Sequence, residues 1–215
     1  MPAIEVREAE RLSKLPPYLF AEIDRLKNEA IQRGVDIINL GVGDPDMPTH
    51  PHIVERMAEA VHDPAYHQYP SYEGSMVFRE AVARWYSERF GVELDPENEV
   101  ISLIGSKEGV GHIPLAFVNP GDAVLIPDPG YPVYRAGAIF AGGEPVEFPL
   151  RAESEFLPDL SAVSARDAGN AVMMFLNYPN NPTSAVATRE MFEEAVEFAV
   201  SKNIIICHDA AYTEI

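Results

Sequence analysis

Leu19, Ile23, Leu26, Ala30 and Ile31 recur at the three-and-four spacing that gathers side chains on one helix face, and Gly34 stands where such a helix ends. Ile37, Ile38 and Leu40 then lead into a turn-rich stretch, GVGDPDMPTHP, at residues 41–51. Helical spacing returns over residues 53–61 and 77–90, with Gly91 as the stop for the second. Beyond residue 100 the pattern changes. Apolar runs at 100–104, 123–126, 145–150, 172–176 and 204–207 have the length of strands, and most lack polar alternation. Between them, stretches reaching Phe117, running from Tyr131 to Phe140 and covering 191–200 have helical length and period. Apolar strands separated by helices predict a mostly parallel sheet covered on both faces. Ligands of such sheets collect beyond the carboxyl ends of the strands, so candidate chemistry is sought there. The Gly/Pro-rich stretch at 41–51 is the candidate boundary between an N-terminal arm and the main sheet.

Composition narrows the function classes. The 215 residues are 47% hydrophobic, enough for one substantial core. With 16 basic against 34 acidic residues and a net charge of −18, the chain offers no basic stripe for phosphodiester backbones, so no nucleic-acid partner is expected. Cys207 is the single cysteine, which excludes an intrachain disulfide and suits a reducing compartment. No apolar run approaches the ~18 residues that a bilayer requires. The N-terminal MPAIEVREAERLSKL is charged throughout and lacks a signal core. A cytoplasmic protein without a membrane partner is the expectation.

Gly105-Ser106-Lys107-Glu108-Gly109 follows the run at 100–104 and opens a helix. Free N–H groups, the dipole end, the Ser106 hydroxyl and the Lys107 charge suit a phosphate, although a plain strand-to-helix turn uses the same residues. GSKEG is neither a G-x-S-x-G nucleophile elbow nor a G-x-x-x-x-G-K-[ST] phosphate loop. Gly41-Val42-Gly43 fails as a dinucleotide fingerprint, because Asp46 stands at the third glycine position and Pro45 would break the helix. Asn177-Tyr178-Pro179-Asn180-Asn181-Pro182-Thr183 is either a rigid turn or a fixed set of amide donors at a strand end. Asp209 ends a buried strand, where it needs a cationic or N–H partner unless it serves as a helix N-cap. Cys207, His208 and Asp209 are consecutive and alternate faces, and His50 and His52 read as loop residues, so no metal site is expected.

Order and strand-end placement connect these segments. GVGDPD, YPSYEG with FREAV, GSKEG, PDPGYPVY, NYPNNPT and DAAY together resemble the fold-type I, class I/II pyridoxal-phosphate-dependent aminotransferases, from about residue 36 to the last residue. Within that superfamily HQYPSYEG, LIGSKEG, IPDPGYPVYRAG, PLAFVNPGD, FLNYPNNPT and CHDAAY are most similar to LL-diaminopimelate aminotransferases. The resemblance implies a three-layer α/β/α large domain, truncated, at 45–215, and an N-terminal arm with part of a small domain at 1–44. It implies pyridoxal 5'-phosphate as cofactor, amino-acid and 2-oxo-acid substrates, and a homodimer. Asp209 matches the aspartate that pairs with the pyridine nitrogen, Asn181 and Tyr212 the partners of the ring's phenolic oxygen, and Tyr131 the aromatic stacked on the ring. Gly105, Ser106 and Lys107 match the phosphate cradle, Tyr69 the tyrosine that reaches the neighbouring subunit's cofactor phosphate, and Gly43 the glycine beside the substrate carboxylate.

Two departures from the family pattern stand out. Asn181-Pro182-Thr183 is followed by Ser184 where the family has glycine; if that position needs a positive φ, Ser184 carries strain of ~1 kcal/mol. The Schiff-base lysine, which is also the general base, and the carboxylate-gripping arginine are expected beyond Ile215; Lys14, Lys27, Lys107 and Lys202 do not match that lysine. The 215 residues alone are therefore expected to be inactive. The full enzyme is expected to pair LL-diaminopimelate with 2-oxoglutarate in lysine biosynthesis. Rival readings are another class I/II activity (alanine, aspartate or aromatic aminotransferase, or a carbon–sulfur lyase) and a non-catalytic aminotransferase-like binding domain.

Overall fold

The computed structural model describes residues 5–17, 19–41, 43 and 47–214. The Asp44, Pro45 and Asp46 part of GVGDPD, together with Val42, lies outside the described residues. Two compact units are present: Pro16–Ser102, and Leu103–Ile215 together with Met1–Leu15.

The Pro16–Ser102 unit holds three helices, α1 (Leu19–Gln32), α2 (Pro51–His62) and α3 (Met76–Phe90). Pro51 sits in the first turn of α2, where its missing N–H costs nothing. The His50 side chain caps that helix by accepting from the His52 N–H at 3.3 Å. His52 is thus a residue of the first helical turn and His50 its cap, a correction to their reading as loop residues. Gly91 ends α3 with φ 67°, its N–H reaching the Ser87 and Tyr86 carbonyls. Arg79, buried on α3, ties the helix to the following loop by donating to the Pro96 and Glu97 carbonyls at 2.9 and 3.2 Å.

Residues 100–104 form no strand, contrary to expectation. A strand exists through its ladder partners, and the sheet seats none beside this segment. Ser102 instead donates one backbone bond to the Glu73 carbonyl at 2.9 Å, while Ile101 and Ile104 are exposed.

The second unit contains α4 (Ser106–Phe117), β1 (Ala123–Asp128), α5 (Pro132–Ala141), β2 (Glu144–Pro149), α6 (Ala165–Asn170), β3 (Ala171–Asn177), α7 (Arg189–Lys202) and β4 (Ile205–Asp209). The strands lie in the order β2-β1-β3-β4 with every pairing parallel. Alternate side chains feed two cores. Val124, Ile126, Met173 and Phe175 pack with Val110, Tyr134 and Ala138 of α4 and α5. Leu125, Met174 and Leu176 face the opposite way, onto Met191, Ala195 and Ala199 of α7. This is the expected parallel sheet between helical layers, in which strands buried on both sides need no polar alternation. β2 and β3 flank β1 on opposite sides, so strand addition reverses there and opens a crevice at the carboxyl ends.

Gly74, within YPSYEG, takes φ +90°, and a Cβ added there would lie 2.2 Å from the Ser102 Cβ. Gly74→Ala should destabilise its unit by roughly 2–5 kcal/mol, since positive φ costs an L-residue about 1–2 and overpacking about 1–3. Trp85, the single tryptophan, lies on α3 of this unit, so urea unfolding followed by its fluorescence checks the result. An unchanged midpoint would show that the close contact at Ser102 carries no strain.

Candidate functional site

The carboxyl ends of β1, β3 and β4 and the N-terminus of α4 converge on a cleft of about 100 Å³. Ser106 and Lys107 enter from the first turn of α4, where the helix's own geometry leaves N–H groups without intrahelical acceptors. Gly105 caps that helix at φ 90°, and the Glu108 carboxylate folds back to accept from the Ile104 N–H at 2.7 Å. Tyr131, the N-cap residue of α5, contributes a half-buried ring. Asn177 and Asn181 come from the end of β3 and its loop, and Tyr212 from the turn after β4.

Asp209 closes the buried end of β4 at 6% exposure. Its Oδ2 accepts a hydrogen bond from the Tyr134 hydroxyl at 2.9 Å, and its Oδ1, also buried, has no partner among the described residues. Its main-chain carbonyl accepts from the Asn177 Nδ2 at 2.8 Å, which locks the ends of β3 and β4 together. Burial, and then the Asp209 charge and hydrogen bond, push the Tyr134 hydroxyl far above its ordinary pKa, so it stays a donor. Burial, with the Asp209 charge, also raises the Cys207 thiol to about 11, leaving it protonated and no nucleophile.

The NYPNNPT segment folds as a hydrogen-bonded loop. Asn177 Oδ1 accepts from the Asn181 N–H at 2.7 Å, and Asn181 Nδ2 donates to the Tyr212 hydroxyl at 3.3 Å. The buried Asn180 Oδ1 accepts from the Thr183 N–H and hydroxyl at 3.1 and 2.8 Å. On the opposite face of β4, His208 Nε2 lies 3.2 Å from the Tyr178 carbonyl, an atom that only accepts, so this nitrogen carries the proton. Desolvation lowers the His208 pKa, keeping the ring neutral near pH 7.

Of the residues singled out in the sequence, Ser106, Lys107, Tyr131, Asn181, Asp209 and Tyr212 line one cleft, with Gly105 adjoining. Gly43 and Tyr69 belong to the other unit and are not part of this set; both are exposed within it, Tyr69 by 95%. The sequence reading missed Tyr134 and gave Asn177 no role of its own. Tyr134 was findable, because it follows Tyr131 by three residues at the start of a helix and so shares its face. Among the described residues no cluster of His, Cys, Asp or Glu could hold a metal, and no helix is long and apolar enough to cross a membrane. A wider hollow of about 540 Å³ is lined by α7 alone, through Arg189, Phe192, Glu193, Val196 and Glu197.

Asp209 Oδ1, a buried acceptor with no donor among the described residues, fits the protonated ring nitrogen of pyridoxal phosphate. The cleft's aromatic ring and open helix N-terminus fit the rest of that cofactor, one as a stacking surface and the other as a phosphate site.

Ser184 takes φ 61°, meeting the condition under which strain was expected. Ser184→Gly should therefore raise stability by up to about 1 kcal/mol, the left-handed penalty being partly offset by glycine's greater unfolded-state entropy. Thermal unfolding followed by far-UV circular dichroism measures this, and a lowered melting temperature would show that the loop holds the serine without strain.

The family described as "Aminotransferase class I and II" matches residues 35–215. An LL-diaminopimelate aminotransferase of Syntrophobacter fumaroxidans is 59% identical over 207 residues, 96% of this chain and 53% of that protein. That of Aquifex aeolicus is also 59% identical over 207 residues, 96% of this chain and 54% of that protein. Among solved structures, substrate-bound BacF from Bacillus subtilis superposes with TM-score 0.87 at 39% identity, covering 96% of this chain and 52% of that one. A Thermus thermophilus aspartate aminotransferase mutant superposes with TM-score 0.85 at 27% identity, over 96% and 53%. The chain thus spans about half the length of the curated relatives it matches. On the match of family, sequence and fold together, the chain belongs to the class I and II aminotransferases, enzymes that work with pyridoxal phosphate.

Proposed function

We propose that this chain supplies the cofactor-binding part of an aminotransferase that moves an amino group between an amino acid and a 2-oxo acid. LL-diaminopimelate and 2-oxoglutarate are the proposed pair, and the lysine pathway the proposed setting. Relatives named LL-diaminopimelate aminotransferase, at 54–59% identity, support that choice. The observation that carries the reading is the buried Asp209 Oδ1, without a donor among the described residues, on a residue that lines the cleft.

Pyridoxal phosphate, when bound, supplies an aldehyde for the amino group and a ring that draws electrons from the substrate's α-carbon. The chain's own residues hold it in place. Asp209 accepts from the ring N–H and keeps that proton in place by charge. Tyr131 stacks on the ring, and Ser106, Lys107 and the Gly105 turn bind the phosphate. Asn181 and Tyr212, already bonded to each other, present donors to the ring's phenolic oxygen. Lys107 is assigned to the phosphate, so no residue of this chain is given the task of moving the substrate's α-proton.

Residues 1–44 are assigned to an arm and part of a small domain, and 45–215 to the large domain. Gly43 is placed beside the substrate carboxylate. Tyr69 is assigned to the phosphate of a neighbouring subunit's cofactor, which makes the enzyme a homodimer with composite sites; its 95% exposure leaves it available for that contact. A cytoplasmic location, with neither nucleic acid nor membrane as partner, completes the reading.

Asp209→Ala should weaken pyridoxal phosphate binding about 10–100-fold, the equivalent of a hydrogen bond to a charged group, with the fold intact by circular dichroism. Transamination of LL-diaminopimelate should fall further still, and parental affinity in the variant would overturn the role given to Asp209. For the dimer, mixing an inactive Tyr69 variant with an inactive Asp209 variant should restore activity through hybrids that carry one intact site. Mixtures that stay inactive while exchanging subunits would show that Tyr69 serves its own chain's site.

A further inference from the structure

Tyr134 is left over from the cofactor roles, yet among the described residues it makes the one hydrogen bond that the Asp209 carboxylate receives. It is 1% exposed, and its ring lies parallel to Phe175 of β3 at 4.7 Å and 13°. Its hydroxyl reaches Oδ2 from α5, on the wall of the same cleft.

A carboxylate can turn about its last bond and exchange its two oxygens. Asp209 is held at the backbone by Asn177 Nδ2 and by the β3–β4 pairing of Asn177 with Asp209, but neither bond restrains the carboxylate plane. Among the described residues no cation pairs with Asp209. The Tyr134 hydroxyl is the group that distinguishes one oxygen from the other. It satisfies Oδ2 and leaves Oδ1 as the acceptor with unspent capacity.

We propose that Tyr134 is a positioning residue, whose hydrogen bond fixes the plane of the Asp209 carboxylate and presents Oδ1 to the cofactor's ring nitrogen. This rests on the reading that Asp209 partners that nitrogen. Burial and the neighbouring carboxylate keep the phenol protonated at any working pH, so Tyr134 acts as a fixed donor. It also draws charge from the carboxylate, which tunes how strongly Oδ1 holds the ring proton. The role is exerted through Asp209, so it must vanish when Asp209 is removed.

That dependence sets the experiment, a double-mutant cycle of Tyr134→Phe and Asp209→Ala in the protein. The readouts are the dissociation constant for pyridoxal phosphate and the pH titration of the bound cofactor's absorbance. Phenylalanine keeps the ring stacked on Phe175, and circular dichroism checks that the fold persists. Tyr134→Phe should weaken binding by about 10-fold and move the absorbance titration, as expected for losing a bond to a charged group. In the Asp209→Ala background the same change should move neither readout. Equal weakening in both backgrounds would mean that Tyr134 only packs, and would overturn the proposal while leaving the Asp209 role intact. An Asp209→Ala variant with parental affinity would instead remove the reading beneath it. Should Tyr134→Phe not fold, 3-fluorotyrosine at position 134 keeps the shape and alters donor strength. A titration that shifts with it only when Asp209 is present supports the proposal, and one unmoved in the parent overturns it.

Discussion

A carboxylate at the buried end of a strand must be compensated, and in this protein the surroundings of Asp209 meet that demand on every side but one. Tyr134 answers Oδ2, Asn177 answers the main-chain carbonyl, and Oδ1 is left without a donor among the described residues. An unmet acceptor of this kind costs about 1–3 kcal/mol, and more when charged, a deficit that the proposed ring N–H would remove. On the proposed role, binding the cofactor would complete the protein's own hydrogen bonding.

The deficit is tolerable because the support beneath it is rigid. Phe175, Met173 and Val124 are fully buried under α4 and α5, and Leu125 and Met174 are equally buried on the other face. Each of the three strand ends at the cleft is followed by a turn that carries a functional side chain. The parallel sheet orders these ends at one edge, and the reversal at β1 parts the loops that would otherwise close over them. Precision in the cleft is inherited from packing in the core.

Much of this was legible in the sequence, for identifiable reasons. Apolar runs such as 172–176 announce a strand covered on both faces, and Gly91 announces a helix end through the positive φ it adopts. The run at 100–104 misled because apolar content reports burial or strand pairing without telling them apart, and pairing depends on a partner elsewhere in the chain. Tyr134 escaped notice because a tyrosine in an amphipathic helix reads as core, and it is core; its second role exists only once β4 brings Asp209 to its hydroxyl. Ser184 was flagged by a departure from the family pattern, and its φ of 61° shows that the backbone there takes the left-handed conformation that glycine favours.

Strand pairing also decides which chemistry the cleft offers. β4 reads Cys207-His208-Asp209, three side chains of different character on alternating faces, and Asn177 is paired with Asp209. A slip of one residue would exchange the faces, sending the carboxylate toward α7 and a neutral imidazole into the cleft. The slipped sheet would keep its backbone bonds and lose the anion. The ladder between β3 and β4 therefore acts as a selector, and the charge at the cleft is set by counting residues along a strand as much as by which residues the strand contains.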